Sequence, residues 1–292
     1  MNATTEEVAS QPDIWQVAVS RAGEFRDQLI APGERVLAIG CGTSAFVAQS
    51  YAALRERAKL GETDAAYASE MPVGRSYDRV VAFTRSGSTT EILDGLGALP
   101  PSTRRVAVTG AAGEAVEGMV DDLVLLDFAD ETSVVQTRFP TTVLALTRAA
   151  IGESMDSVIA DGRTAWSMTE PVDPTRFDHF VFLGTGWTVG LAHEAALKLR
   201  EMAQGWSESY PAMDFRHGPV AAVSPRSLVW TFGDVPLGVT DAAEAAGAVV
   251  RREDLDPLAQ LVLLHRLALH LADHRGLDPD RPRHLTRSVV LR

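Results

Sequence analysis

Two stretches of this 292-residue chain repeat one pattern, and the repetition limits the possible folds more than any other feature. VLAIGCGTS begins at position 36 and FVFLGTGWT at position 180; each is an apolar run ending in Gly-x-Gly and a threonine. An alanine-rich helical stretch follows both. The glycine pairs Gly40/Gly42 and Gly184/Gly186 lie 144 positions apart. A strand that turns through glycine directly into a helix is the building unit of a parallel α/β sheet. Its recurrence predicts an internal duplication of two α/β halves.

The intervening sequence agrees. Apolar runs at AAYAS, RVVAFT (79–84), RVAVTG (105–110) and LVLLDF (123–128) alternate with helix candidates at 44–59 and 139–151. The fold class is therefore α/β, with doubly wound parallel sheets of the flavodoxin-like three-layer αβα kind. In the second half SLVWTF (227–232) and GAVV (247–250) read as strands and 258–274 as a strong helix. Residues 4–30 read as a helix opened by a Thr4/Glu7 capping box. The polar, proline-bearing stretch SMTEPVDPTRF (167–177) marks the joint, giving domains 1–166 and 167–292, the second ending in an extended tail.

Charge narrows the partners. A net charge of −12 argues against nucleic acid, whose phosphates need a basic face. It leaves room for a small anion held by local amides. No apolar run reaches the roughly 18 residues of a membrane span. The polar, acidic N-terminus does not resemble a signal peptide, and a single thiol, Cys41, makes no intramolecular disulfide, so a cytoplasmic protein is expected. No metal is expected, because His270 and His274 share a helix face without matching carboxylates. Without a third glycine after GCGTSA, a nicotinamide or flavin cofactor is not expected either.

Three positions stand out. Glu194, Lys198 and Glu201 fall on one stripe of the helical segment HEAALKLREMA, within roughly 60° of one another. Such a stripe is either a solvated face or an acid–base wall. The chain carries 25 arginines and only two lysines, Lys59 and Lys198, so a lysine in this stripe is the less incidental choice of cation. Two loops at strand ends, GCGTS and TRSGSTTE, place small residues and hydroxyls where an α/β sheet binds anions. Neither contains a lysine, which excludes a Walker A nucleotide site.

Together these segments resemble the sugar isomerase (SIS) domain family, in particular the isomerase half of glucosamine–fructose-6-phosphate aminotransferase. The similar segments, in order, are EVASQP (7–12), GCGTS (40–44), TRSGST (84–89), ETSVVQT (131–137), EAALKLRE (194–201), DFRHGP (214–219) and PRHLTRSV (282–289). The resemblance implies two tandem SIS domains. It implies that Thr43, Ser44, Thr84, Ser86 and Thr89 hold a sugar phosphate, with Val134 and Arg287 also at the substrate; Arg85, where the family has a glutamine, either adds a phosphate contact or points to solvent. It makes Glu201 the base that moves a proton between C1 and C2 through an enediol, with Lys198 and Glu194 beside it. His217 would assist ring opening from the neighbouring subunit of a homodimer.

Two departures shape the expected activity. Arg287 stands where the family has an imine-forming lysine, and a permanently protonated guanidinium cannot form an imine. Position 2 is Asn2, with no N-terminal cysteine, so glutamine-dependent amination is not expected. What remains is a stand-alone phosphosugar isomerase that interconverts aldose and ketose forms of a hexose or aminohexose 6-phosphate without metal or cofactor. The alternatives are an aminosugar-phosphate deaminase and a non-catalytic phosphosugar sensor.

Overall fold

β1 (Val36–Gly40) is buried along its whole length, as a strand covered on both faces must be. In the computed structural model, which describes residues 2–72 and 74–291, it is central to a five-stranded parallel sheet. Its neighbours are β2 (Thr63–Tyr67) and β3 (Arg79–Phe83), followed by β4 (Arg104–Thr109) and β5 (Asp122–Leu125), in the order β2-β1-β3-β4-β5. Val36 lies opposite Thr63 on one side and Arg79 on the other. A second parallel sheet contains β6 (His179–Gly184), β7 (Trp206–Pro211), β8 (Ser227–Phe232) and β9 (Val249–Arg252), in the order β7-β6-β8-β9. The two orders are the same as far as the second sheet extends, so the duplicated sequence has become a duplicated topology.

The helices are α1 (Ala3–Ser20), α2 (Arg26–Leu29), α3 (Thr43–Arg57), α4 (Thr90–Gly97), α5 (Arg138–Ala150), α6 (Asp156–Ser167), α7 (Thr188–Ala203), α8 (Asp241–Ala245) and α9 (Pro257–His274). The single helix expected over 4–30 stops at Ser20. Its cap also differs from expectation. Asn2 accepts from the Thr5 amide (2.9 Å) and hydroxyl (2.6 Å), while Thr4 lies inside the helix and donates its hydroxyl to Asp280 (2.5 Å). Asn2 satisfies the Thr5 amide, and Asp280 those of Ala3 (2.9 Å) and Thr4 (2.8 Å), so Thr4 is not needed as a cap.

The chain divides into two units. The N-terminal unit is Ser10–Met155 with the tail from Thr286; the C-terminal unit is Asp156–Leu285 with the residues up to Ala9. The division falls at Asp156, ahead of the proline-bearing stretch. The reason is α6, whose buried face of Val158, Ile159, Gly162 and Ala165 packs against α9. Arg266 on α9 donates to the carbonyls of Ala165 (2.7 Å) and Met168 (2.8 Å), closing the end of α6.

One close approach sets both strand–helix turns. A Cβ on Gly40 would lie 2.2 Å from the Ser44 carbonyl carbon, and one on Gly184 2.2 Å from the Thr188 oxygen. The next glycines, Gly42 (φ +53°) and Gly186 (φ +58°), take the left-handed backbone that completes the turn. In the C-terminal unit α7 and α9 pack together and wholly bury His265, whose pKa burial, aided by the Lys198 charge, pushes down to about 3. Among the described residues no helix is long and apolar enough to cross a membrane.

Two predictions follow from this packing. Gly40→Ala or Gly184→Ala should destabilise its unit by about 3 kcal/mol, because the clash is with backbone that cannot swing aside. Gly23→Ala, with no atom within 4 Å of its added methyl, should be nearly neutral in the same urea titration. For His265 the unfolded chain binds a proton below its ordinary value of about 6.5 whereas the folded chain does not until about 3. Stability should therefore fall as pH drops through that window. His265→Gln should flatten the acid limb of a plot of Tm against pH.

Candidate active site

The stripe on α7 is not a solvated face. Lys198 is wholly buried and Glu194 is 3 % exposed. The Lys198 Nζ donates to Glu201 Oε2 and forms an ion pair with Glu194 Oε1 at 3.4 Å. Helical spacing of three and four residues brings both carboxylates to one ammonium. Removing these charges from water costs several kcal/mol per ion, a penalty that surface pairs do not carry. Glu201 alone of the three opens on a cavity of about 450 Å³, lined also by Leu197, Arg200, Gln204, Gly205, Arg283, His284 and Leu285. Arg200 is held by the Ser207 carbonyl (2.9 Å), and burial lowers its pKa against the opposing pull of Glu201 and Glu194.

The expected phosphate loops lie in the N-terminal unit, at the carboxyl ends of β1 and β3. In the order β2-β1-β3 these adjacent strands flank the switch point of the sheet, where α/β folds bind ligands. Thr43, Ser44, Thr84 and Ser86 are all buried. The Thr84 hydroxyl accepts from the Gly87 amide (3.2 Å), and the Ser86 and Thr89 hydroxyls are 3.4 Å apart. Gly87 takes φ +68° to make this turn. The equivalent corner of the C-terminal unit is closed off. There the Thr188 hydroxyl accepts from the Thr185 amide (2.8 Å) and donates to the Phe232 carbonyl (2.9 Å). Cys41, in the first loop, is kept as a thiol: burial, then the Glu91 carboxylate, push its pKa up to about 11.

Arg85 and Arg287 have partners that the sequence reading did not provide. Arg85 is 2 % exposed and offers its guanidinium neither to solvent nor to an open phosphate pocket. It donates to the main-chain carbonyls of Ser133 (2.9 Å), Val134 (3.1 Å) and Arg287 (3.1 Å). Arg287 pairs with both Asp130 oxygens (2.5 and 2.7 Å) and donates to the Glu131 carbonyl. The tail then runs along the start of α4, where the Thr90 amide donates to the Val289 carbonyl (3.1 Å) and Ser88 meets Ser288 (3.2 Å). Both arginines, expected at the substrate, hold main chain and a carboxylate within the protein, because buried carbonyls and Asp130 lie within reach of their forks.

Val134 sits in the loop that Arg85 grips, and Glu131 anchors the other end of that loop. The Glu131 carboxylate accepts from the amides of Thr137 (2.6 Å), Arg138 (2.7 Å) and Phe139 (3.1 Å), capping α5. The sequence reading did not assign Glu131 or Asp130. Their signal was an acidic pair shortly before a helix, which suits the helix dipole. Arg283 and His284 were also passed over as cavity residues, although PRHL was part of the recognised tail. His217, in the C-terminal unit, follows a short helical turn, is exposed, and does not line the Glu201 cavity. His270 pairs with Glu170 (2.6 Å), and among the described residues no group of three or more metal-ligating side chains forms.

No protein-family model matches the chain. Among curated proteins, the glutamine–fructose-6-phosphate aminotransferase (isomerizing) of Bacteroides thetaiotaomicron is 25 % identical over 94 % of this chain and 54 % of its own length. The chain thus spans about half the length of the curated relatives it matches. Among solved structures, glucosamine-6-phosphate deaminase from Thermotoga maritima superposes with a TM-score of 0.83 at 26 % identity, covering 99 % of this chain and 100 % of that one. The C-terminal domain of glucosamine–fructose-6-phosphate aminotransferase from Francisella tularensis gives 0.84 at 19 % identity, with 97 % and 98 % covered. With its glycine loops and two parallel sheets, the chain is thus similar along nearly its whole length to the isomerase (SIS) half of glutamine–fructose-6-phosphate aminotransferase and to a stand-alone glucosamine-6-phosphate deaminase.

Proposed function

We propose that this protein is a phosphosugar isomerase that interconverts the aldose and ketose forms of a hexose or aminohexose 6-phosphate. The observation that carries the reading is the buried ammonium of Lys198 between two carboxylates, one of which, Glu201, faces a cavity. A carboxylate in that setting takes the proton at C2 of an open-chain aldose and returns it at C1. The adjacent ammonium offsets the negative charge that develops on the enediolate. Glu194, on the far side of Lys198, orients the ammonium. The hydroxyls of Thr84, Ser86 and Thr89, with Thr43 and Ser44, supply the phosphate-binding loops, and Val134 contacts the sugar. In this reading the protein is cytoplasmic and a homodimer, and His217 reaches the sugar of a second copy.

A second reading, aminosugar-phosphate deamination, is favoured by the similarity to a glucosamine-6-phosphate deaminase along the whole chain. Both readings are tested with glucose 6-phosphate and glucosamine 6-phosphate in deuterium oxide. An isomerase exchanges the C2 proton with solvent, and a deaminase also releases ammonia. Ligand-dependent thermal stabilisation with neither outcome would leave a sensor and overturn both enzymatic readings.

Glu201→Gln should lower C2 exchange at least ~100-fold while ligand-induced stabilisation persists, since it removes the base and keeps the shape. Undiminished exchange would show that another group is the base. Ser86→Ala and Thr89→Ala should each weaken glucose 6-phosphate binding about tenfold by calorimetry, the loss expected for one hydrogen bond to a charged oxygen.

A further inference from the structure

A site that grips a sugar phosphate at two ends needs its two walls held at one spacing. We propose that Arg85 is the positioning residue that sets this spacing. It holds the loop assigned to the phosphate against the loop assigned to the sugar and does not itself touch the ligand; the inference rests on the phosphosugar reading above.

Arg85 is fixed at both of its ends. Its carbonyl accepts from the Gly110 amide (3.1 Å) and the Thr109 hydroxyl (3.2 Å), which ties the first loop to the end of β4. One nitrogen of its buried guanidinium donates to the Ser133 carbonyl (2.9 Å), and the other to those of Val134 and Arg287 (both 3.1 Å). These acceptors come from two segments remote in sequence, and all three segments belong to the N-terminal unit. The far ends are held as well. Arg287 is locked on both Asp130 oxygens, and Asp130 lies against Gly110, where an added Cβ would stand 3.2 Å from its carboxylate. A closed circuit thus runs from Gly110 through Arg85, Arg287 and Asp130 back to Gly110.

Ser86 and Thr89 follow Arg85 by one and four residues, and Val134 is one of its acceptors. Any displacement of this guanidinium therefore changes the distance between the phosphate grip and the sugar contact. The arrangement needs a planar fork. A guanidinium presents several N–H groups in fixed directions and meets three carbonyls at once, whereas an ammonium on a flexible stem does not keep that geometry. The cost of ordering the long side chain is met when the unit folds and not at each binding event, which is how preorganisation raises affinity.

The test compares two ligands on the full-length protein: glucose 6-phosphate, which spans both loops, and inorganic phosphate, which the first loops hold alone. Arg85→Lys and Arg85→Gln should each raise the Kd for glucose 6-phosphate at least ~10-fold, and that for inorganic phosphate less than ~2-fold. A direct phosphate contact would weaken both ligands alike, with Arg85→Lys recovering much of the loss. A purely structural role would lower Tm and leave both Kd values unchanged. Either of these results would overturn the proposal. Asp130→Asn leaves Arg85 in place and loosens the Arg287 end. It should raise the glucose 6-phosphate Kd ~3-fold and add little to Arg85→Gln in the double variant. Should the Arg85 variants not fold, unchanged affinity in Asp130→Asn would overturn the assignment by itself. A wild-type protein that binds neither glucose 6-phosphate nor glucosamine 6-phosphate would overturn the phosphosugar reading, and this inference with it.

Discussion

Both sheets depend on a backbone-to-backbone contact that only glycine permits. At Gly40 and at Gly184 the first turn of the following helix presses on the last residue of a central strand, at 2.2 Å from where a Cβ would stand. This closeness makes the turn short, which keeps the small and hydroxylated residues after the strand at the carboxyl edge of the sheet. The same contact occurs in both units, yet the corners differ in what they leave open. In the C-terminal unit Thr188 ties its hydroxyl to the Thr185 amide and the Phe232 carbonyl. In the N-terminal unit the second loop keeps three hydroxyls, on Thr84, Ser86 and Thr89, around one turn. One scaffold has thus been kept twice while its corners diverged.

Charge burial in α7 argues for function and not for stability. A helix packing on α9 would be held at least as well by leucine at positions 194 and 198, since buried ion pairs seldom repay their dehydration. Here one lysine is wholly buried beside a carboxylate 3 % exposed, in a chain whose other basic side chains are, Lys59 and the histidines apart, all arginines. Lysine suits this place because a compact ammonium fits between two carboxylates at three- and four-residue spacing, where a planar guanidinium would need a wider slot. The burial is also graded: Glu194 is sealed, and the Glu201 side chain keeps 18 % of its surface. Only the outer carboxylate can meet a small molecule.

Much of this was legible in the sequence, and what was not has definite physical causes. Central strands such as β3 and β6 are buried on both faces and so read as continuous apolar runs. β7, WSESYP, escaped notice because it pairs only with β6 and leaves Trp206 57 % exposed, so its pattern is mixed. The helix stripe could be read because i, i+4 and i+7 spacing is local. Its burial could not, because that depends on α9, some sixty residues further on. The partners of the two arginines were illegible for a related reason. Arg85 stands in a loop with the look of an anion site, and nothing near it in sequence announces the carbonyls of Ser133, Val134 and Arg287. Likewise α6 follows the N-terminal unit in sequence but packs with the C-terminal one, since its apolar face finds its partner in α9.

The pairing of Arg287 with Asp130 bears on how far the two enzymatic readings really differ. A tail lysine could carry substrate carbon as an imine, whereas a guanidinium fixed on a carboxylate cannot. Any carbon–nitrogen chemistry then depends on nitrogen that the substrate itself brings. For an aminohexose phosphate, moving the C2 proton to C1 converts the amine-bearing carbon into an imine, which water hydrolyses to a ketose and ammonia. For a hexose phosphate the same proton movement ends at the ketose. Isomerisation and deamination therefore share the opened ring, the base and the phosphate grip, and they part only at the atom attached to C2. On the proposed reading a single set of residues would serve either outcome, and the choice between them would belong to the contacts around that one substituent.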